Sequence, residues 1–342
     1  MLIRSVFPRV SWRHYRLMGV LLALLVLALS AVALPLVPVK AATNNNPVLP
    51  GYNADPQIAV FNHTFYIYPS TDGIANWGAT SFQAWSSTDM IHWTNRGVIL
   101  NLANVSWCHS HAWSPSIAQK GSTYYFYFTA CSEIGVATSS SPTGPFTDAL
   151  GKPLVATKQY GVTSLDPAVF IDSNSQPYLI FGNGGARLGK LNANMTSFSG
   201  TPVNITPGGA PYREAPYMFK RNGIYYLTWS QNDTRQVTYQ VSYARASSIT
   251  GPFVTASGNP ILSQNTSLGI LGTGSASIWG ASTGQYYIVY HRFAIPGGDG
   301  FHRVVAIDPL NFNSDGTIRH VAVSLTGLQS AVSPNPNNPL AV

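Results

Sequence analysis

Apolar positions fall into two regimes along the chain. From Leu17 to Val39 they run without a single charge, in a stretch dominated by Leu, Val and Ala. Beyond residue 50 they break into short runs of β-branched and aromatic residues, separated by Gly, Pro, Asn and Ser, with no sustained helical period. That punctuation predicts strands and turns. One unit recurs. It reads DPQIAVFNHTFYIY from Asp55, SPSIAQKGSTYYFYF from Ser114 and DPAVFIDSNSQPYLIF from Asp166, then APYMFKRNGIYYLTW from Ala215 and SASIWGASTGQYYIVY from Ser275. The starts are 59, 52, 49 and 60 residues apart. Each unit opens on a small or acidic residue, usually followed by Pro, and continues as a short apolar strand, a polar turn and an aromatic strand. Such a period in an all-β chain predicts a propeller, because a four-stranded blade cannot bury both faces alone and radial packing buries them. Five units predict an all-β, five-bladed β-propeller over residues 51–330, with 42–50 as a linker and 331–342 as a C-terminal tail. Tyr125, Tyr226 and Tyr287 on the aromatic strands then read as packing between blades.

Charge changes the picture at the N-terminus. Residues 1–16 carry Arg4, Arg9, Arg13 and Arg16 and no acid, and the apolar run ends at Val39-Lys40-Ala41-Ala42. A basic region, an apolar region and a small-residue exit make residues 1–41 a secretory signal peptide, cleaved after Ala41, and the protein extracellular. An uncleaved membrane anchor is the competing reading, since the run is long for a signal. Pro35, Pro38 and the exit sequence favour cleavage, after which no membrane partner is expected. The chain has 19 basic and 12 acidic residues, and five of the basic ones lie in this segment. The remainder is close to neutral and has no Lys/Arg cluster, which excludes a nucleic-acid partner. Export also makes a disulfide between Cys108 and Cys131 the expected state, because a hairpin turning near Lys120-Gly121 brings the two together.

A propeller starts the innermost strand of every blade at the same end of its axis. Asp55, Ser114, Asp166, Ala215 with Glu214 just before it, and Ser275 must therefore converge. Three of the twelve acidic residues, including one of only two Glu, fall at these points. Asp before Pro is ordinary turn chemistry, but Glu is a poor turn residue and scarce here. Carboxylates gathered in a cleft repel one another and lose hydration, which keeps one protonated beside an ionised partner. That pair is the apparatus of glycosidic bond hydrolysis, and opposite channel walls suit the wider, inverting separation.

At this point the chain resembles glycoside hydrolase family 43. The stretches that carry the resemblance are NPVLPGYNADPQI from Asn46, AWSPSI from Ala112, SLDPAVFID from Ser164, YREAPYMFKRNGIYYLTWS from Tyr212, GTGSASIW from Gly272, YHRF from Tyr290 and HRVVAIDPLNFNSDGTI from His302. The resemblance implies a five-bladed propeller that cleaves arabinose- or xylose-containing glycans with inversion. It implies Asp55 as the general base, Glu214 as the general acid and Asp166 as the group that tunes and orients Glu214. It further implies that Trp113 lines the channel and that Arg303 reaches sugar hydroxyls. His291 reads as lining the pocket, with a buried core role as its alternative. Arg213 is expected to point away from Glu214, whose proton it would otherwise release. Trp107, His109 and His111 lie in a loop placed to shape the rim.

Many members of that family have a His in the motif opening the fifth blade, where it helps hold an axial cation, often calcium; here Ser275 stands in its place. No cofactor is required by this reading, and the metal site stays open. The expected function is a secreted inverting hydrolase. It would release α-L-arabinofuranosyl or β-xylosyl residues from plant cell-wall hemicellulose such as arabinoxylan or arabinan. Endo-1,5-α-L-arabinanase action and a non-catalytic carbohydrate-binding propeller are the alternatives.

Overall fold

The computed structural model describes residues 44–334. The expected signal peptide, and residues 335–342 of the expected tail, lie outside the described residues. The described chain folds into five antiparallel sheets, each continuous in sequence. Blade one is β1 (Asn53–Phe61), β2 (Thr64–Thr71), β3 (Ser81–Ser87) and β4 (Thr94–Asn101). Blade two is β5 (Trp113–Lys120), β6 (Thr123–Ala130), β7 (Glu133–Ser139) and β8 (Thr147–Asp148). Blade three is β9 (Ala168–Ile171), β10 (Pro177–Phe181), β11 (Arg187–Lys190) and β12 (Val203–Asn204). Blade four is β13 (Glu214–Arg221), β14 (Ile224–Gln231), β15 (Gln240–Ala246) and β16 (Val254–Thr255). Blade five is β17 (Gly274–Gly280), β18 (Tyr286–Phe293) and β19 (Arg303–Leu310). This is the five-bladed β-propeller that the repeat predicts.

Local chemistry sets the register. Phe61 pairs with Thr64 across Asn62-His63, and Ala130 with Glu133 across Cys131-Ser132. All four turn residues have positive φ, the backbone that a two-residue hairpin turn requires. Arg221 pairs with Ile224 across Asn222-Gly223 in the same way. Cys131 in its turn is bonded to Cys108, which ties the loop ahead of blade two to the β6–β7 hairpin.

Each seam between neighbouring blades holds its own apolar cluster. Tyr68, Phe82 and Phe126 fill the seam of blades one and two; Tyr127, Val169 and Phe181 fill that of two and three. Phe170, Leu227 and Trp229 lie between three and four, and Tyr226, Ile278 and Tyr290 between four and five. Ile58, Phe65, Trp279 and Val289 close the ring between five and one. Because both faces of each blade are covered, the strands read as nearly continuous apolar runs. Tyr226 is buried, and Tyr125 and Tyr287 are partly buried against these clusters, which is the packing role expected of them.

The segment expected as a linker is instead part of the closure. Val48 N–H donates to the Val305 carbonyl of β19, and Asn45 and Asn46 donate to Thr326 and Leu325. The buried Asn46 side chain accepts from Ile307 N–H (2.9 Å) and donates to the carbonyls of Ile307 (3.2 Å) and Ser324 (3.1 Å). These bonds cover the edge that a three-stranded blade leaves open. Asn reads as a loop residue in sequence; here its amide imitates a backbone pair. Asn46→Ala should lower stability by about 1–3 kcal/mol, since it strands a buried N–H and two carbonyls. Urea denaturation should report this as a lower midpoint at unchanged slope, and an unchanged midpoint would contradict the closure role.

Candidate active site

The five unit starts do converge. Asp55, Ser114, Asp166, Ala215 and Ser275 all have left-handed backbone, with φ of 46°, 42°, 56°, 53° and 47°. Left-handed backbone costs a non-glycine residue of the order of 1–3 kcal/mol and persists only where surroundings enforce it. The enforcement is visible. Ser114 N–H donates to Ser70 Oγ (2.8 Å), Asp166 N–H to Thr129 Oγ1 (3.1 Å) and Ser275 N–H to Ser230 Oγ (2.9 Å). Asp55 N–H donates to His291 Nδ1 (3.2 Å). Each acceptor lies on the second strand of the preceding blade. Blade three supplies no such side chain, and there the Asp166 carboxylate itself accepts the Ala215 N–H (2.9 Å).

Asp55, Ser114, Asp166 and Ser275 therefore line a cavity of about 220 Å³ over the axis, together with Glu214. Glu214 sits one residue ahead of the ring, in the same slot as Trp113 of blade two and Leu165 of blade three, and all three line the cavity. Gly274 holds that slot in blade five. A Cβ there would stand 2.1 Å from the Tyr239 ring, so glycine makes the room that Tyr239 occupies.

The three carboxyl groups have different surroundings. Asp55 Oδ2 accepts from Ser70 Oγ (2.8 Å), and its Oδ1 lies 3.2 Å from His291 Nδ1 and 3.5 Å from Arg303 Nη1. Burial pushes Asp55 up, but the Arg303 guanidinium, with the Ser70 hydroxyl, outweighs it and holds the carboxyl well below the usual range. Asp166 is pushed up to about 6, first by burial and then by the charge of Asp55. Glu214 is pushed up to about 8, first by burial and then by Asp166. Its Oε2 accepts from Asn183 Nδ2 (2.6 Å) and its Oε1 from Tyr239 Oη (3.0 Å).

Several expectations need correction. His291 does not line the pocket. It is fully buried, stacks on Tyr239 at 5.5 Å and is the blade-five member of the inter-blade relay. Burial, then Arg303, lowers its pKa and keeps the ring neutral. Arg213 does not point away: its Nε is 3.8 Å from Glu214 Oε2 while its Nη2 pairs with Asp233 at 3.2 Å. It is 46% exposed, so water weakens its pull, and burial with Asp166 prevails at Glu214. Arg303 does line the cavity, held there by Nε and Nη2 donating to Asp72 (2.8 and 3.2 Å) and by Nη1 donating to Thr234 Oγ1 (3.1 Å). Trp107 turns into the core, stacked on Phe128, and His109 is bound to the Leu102 carbonyl. His111 packs against Trp113 at the rim.

Sequence reasoning missed Asp72, Asn183, Thr234, Tyr239 and Trp77. None sits at a repeat start, and only their spatial placement identifies them. Below the carboxylates the axial channel is lined by Pro56, Pro115, Pro167 and Pro216. Ser277 Oγ is already used, donating to Pro56 O and accepting from Ile58 N–H. Among the described residues no three His, Cys, Asp or Glu are grouped to hold a metal. Calcium takes about six to eight oxygens, carbonyls and waters among them, and no step below is routed through a cation.

Comparison with known proteins agrees with this architecture. The family model for glycosyl hydrolases family 43 matches residues 44–318. A β-D-galactofuranosidase of Aspergillus niger is 37% identical over 83% of this chain and 86% of its own. An arabinoxylan arabinofuranohydrolase of Bacillus subtilis is 31% identical over 87% of this chain and 68% of its own. The crystal structure of a family 43 β-xylosidase/α-arabinofuranosidase from a compost microbial metagenome, in complex with xylotriose, aligns with a TM-score of 0.72. That alignment is 27% identical and covers 83% of this chain and 99% of the other. With its match spanning all five blades, the chain belongs to glycosyl hydrolase family 43.

Proposed function

We propose that the protein is an exo-acting, inverting glycosidase that releases terminal α-L-arabinofuranosyl or β-xylosyl residues from plant hemicellulose outside the cell. The observation that carries this is the division of charge among three carboxyl groups around one small cavity. Glu214, with a pKa near 8, keeps its proton at neutral pH and donates it to the leaving oxygen. Asp55, held ionised by Arg303, takes a proton from the attacking water. Asp166, ionised at pH 7, raises Glu214 and fixes its backbone by accepting the adjacent Ala215 N–H.

Topology supports inversion. Blade one packs against blades two and five, so Asp55 faces the side where blades three and four meet and where Glu214 contacts Asn183. A base and an acid on opposite walls leave room for water between base and sugar. The Trp113 face offers a platform for a sugar ring. Export rests on the basic and apolar N-terminal segment. A second reading, terminal β-D-galactofuranosyl release, is favoured by the Aspergillus niger relative, because that furanose shares its ring stereochemistry with α-L-arabinofuranose.

A panel of aryl α-L-arabinofuranosides, β-xylosides and β-D-galactofuranosides tests the reading, and a protein inert on all of them overturns it. For the sugar that is cleaved, kcat/KM should plateau between about pH 6 and about pH 8. It falls below as Asp166 is protonated and above as Glu214 loses its proton. Glu214→Gln should lower kcat by about 10²–10⁴-fold.

The same substitution has a stability signature. Folded Glu214 holds its proton up to about pH 8, while an unfolded glutamate releases it near its ordinary value of 4.5. The folded state therefore loses stability as pH rises through that window. Glu214→Gln should match wild type near pH 4 and melt at least about 2–4 °C higher at pH 8.5. Equal melting temperatures at pH 8.5 would show that Glu214 carries no such penalty.

A further inference from the structure

The cavity is walled on four of its five sides. Trp113 of blade two donates its Nε1–H to the Trp77 carbonyl of blade one (2.7 Å). Trp77 in turn donates to the Gly300 carbonyl in the β18–β19 loop of blade five (2.8 Å) and stacks on Phe301 at 4.4 Å. At Gly300 a Cβ would stand 2.6 Å from Arg235 Cα, so this loop lies directly against the β14–β15 loop of blade four. There Asp233 pairs with both Arg235 (2.7 Å) and Arg213 (3.2 Å). The wall thus runs unbroken from blade two through one and five to blade four.

Blade three breaks it. The β6–β7 turn of blade two is shorter, but there Trp113 stands over the cavity; the β10–β11 connection of blade three is the glycine-rich Gly182-Asn183-Gly184-Gly185-Ala186, with Gly184 exposed, at φ +81°, and no atom within 4 Å of where its Cβ would be. The break adjoins Glu214, since Asn183 donates to the Glu214 carboxyl and Gly184 N–H donates to the Arg213 carbonyl.

We infer that this low glycine lip of blade three is the passage over which the leaving polysaccharide chain lies. The inference rests on the glycosidase reading above. In a single displacement the leaving group departs away from the attacking water. Water activated at Asp55 in blade one drives departure toward blades three and four. Blade four is closed by the Arg213–Asp233–Arg235 cluster, so the lip is what remains.

The test places bulk on the lip after folding. The described residues contain no free cysteine, so Gly184→Cys gives a single site for a bulky maleimide. Ile74→Cys, exposed on the blade-one side, serves as its counterpart. The quantity read is kcat/KM on arabinoxylan divided by kcat/KM on p-nitrophenyl α-L-arabinofuranoside, before and after labelling. Labelling Gly184→Cys should lower this ratio at least tenfold, and labelling Ile74→Cys should leave it within twofold. An unchanged ratio for labelled Gly184→Cys, or an equal fall for labelled Ile74→Cys, overturns the passage while leaving the glycosidase reading intact. An unlabelled wild type inert on aryl furanosides, xylosides and arabinoxylan alike overturns that reading and the passage with it.

Discussion

Each blade of this propeller is held to the next by a backbone N–H at the axis, and the site depends on that bond. Asp55, Ser114, Asp166, Ala215 and Ser275 sit in left-handed backbone that a non-glycine residue adopts only under constraint. The constraint comes from side chains one blade back: His291, Ser70, Thr129, Asp166 and Ser230. Fivefold packing thereby aims short side chains at one small volume. It also makes the site a property of the closed ring, because Asp55 in the first blade is positioned by His291 in the last. The N-terminal segment at Asn46 and Val48, which closes the ring, thus acts on the site from a distance.

Within that volume the chemistry is set by environment. Three carboxyl groups that would titrate together in water are driven apart by what stands beside each. Asp55 has Arg303, whose own geometry is fixed by two bonds from its guanidinium to Asp72. Glu214 has two neutral donors, Asn183 and Tyr239, and a guanidinium half exposed to water. Asp166 lies between them electrically: it is raised by Asp55 and it raises Glu214. The one place where the inter-blade relay departs from a neutral acceptor is Asp166 at blade four, so the fold's own irregularity falls beside Glu214. A surface pair such as Arg235–Asp233 matters less to this balance, since water screens it.

Much of this was legible in the sequence. The period placed five blades, and the scarcity of acids at equivalent starts singled out Asp55, Asp166 and Glu214. Periodicity reveals what repeats, and the residues that complete the site do not repeat. Asp72 and Thr234 follow second strands in loops of unequal length, and Asn183 lies in a glycine-rich turn. Tyr239 reaches Glu214 only because Gly274 clears its path. His291 looked like a pocket residue because its neighbourhood is functional, yet it occupies the slot that Ser70, Thr129 and Ser230 fill elsewhere. The linker misled for a related reason: an Asn-rich run scores as loop, although Asn46 completes a blade.

The most direct test of the opposed acid and base is the stereochemistry of the first turnover. Proton NMR of the released sugar, recorded as an active aryl glycoside is added and before mutarotation, identifies the anomer formed. Water activated at Asp55, across the cavity from Glu214, yields the anomer opposite to the substrate's. Initial release of the same anomer as the substrate would mean that a carboxylate attacks the sugar directly, and would contradict the account.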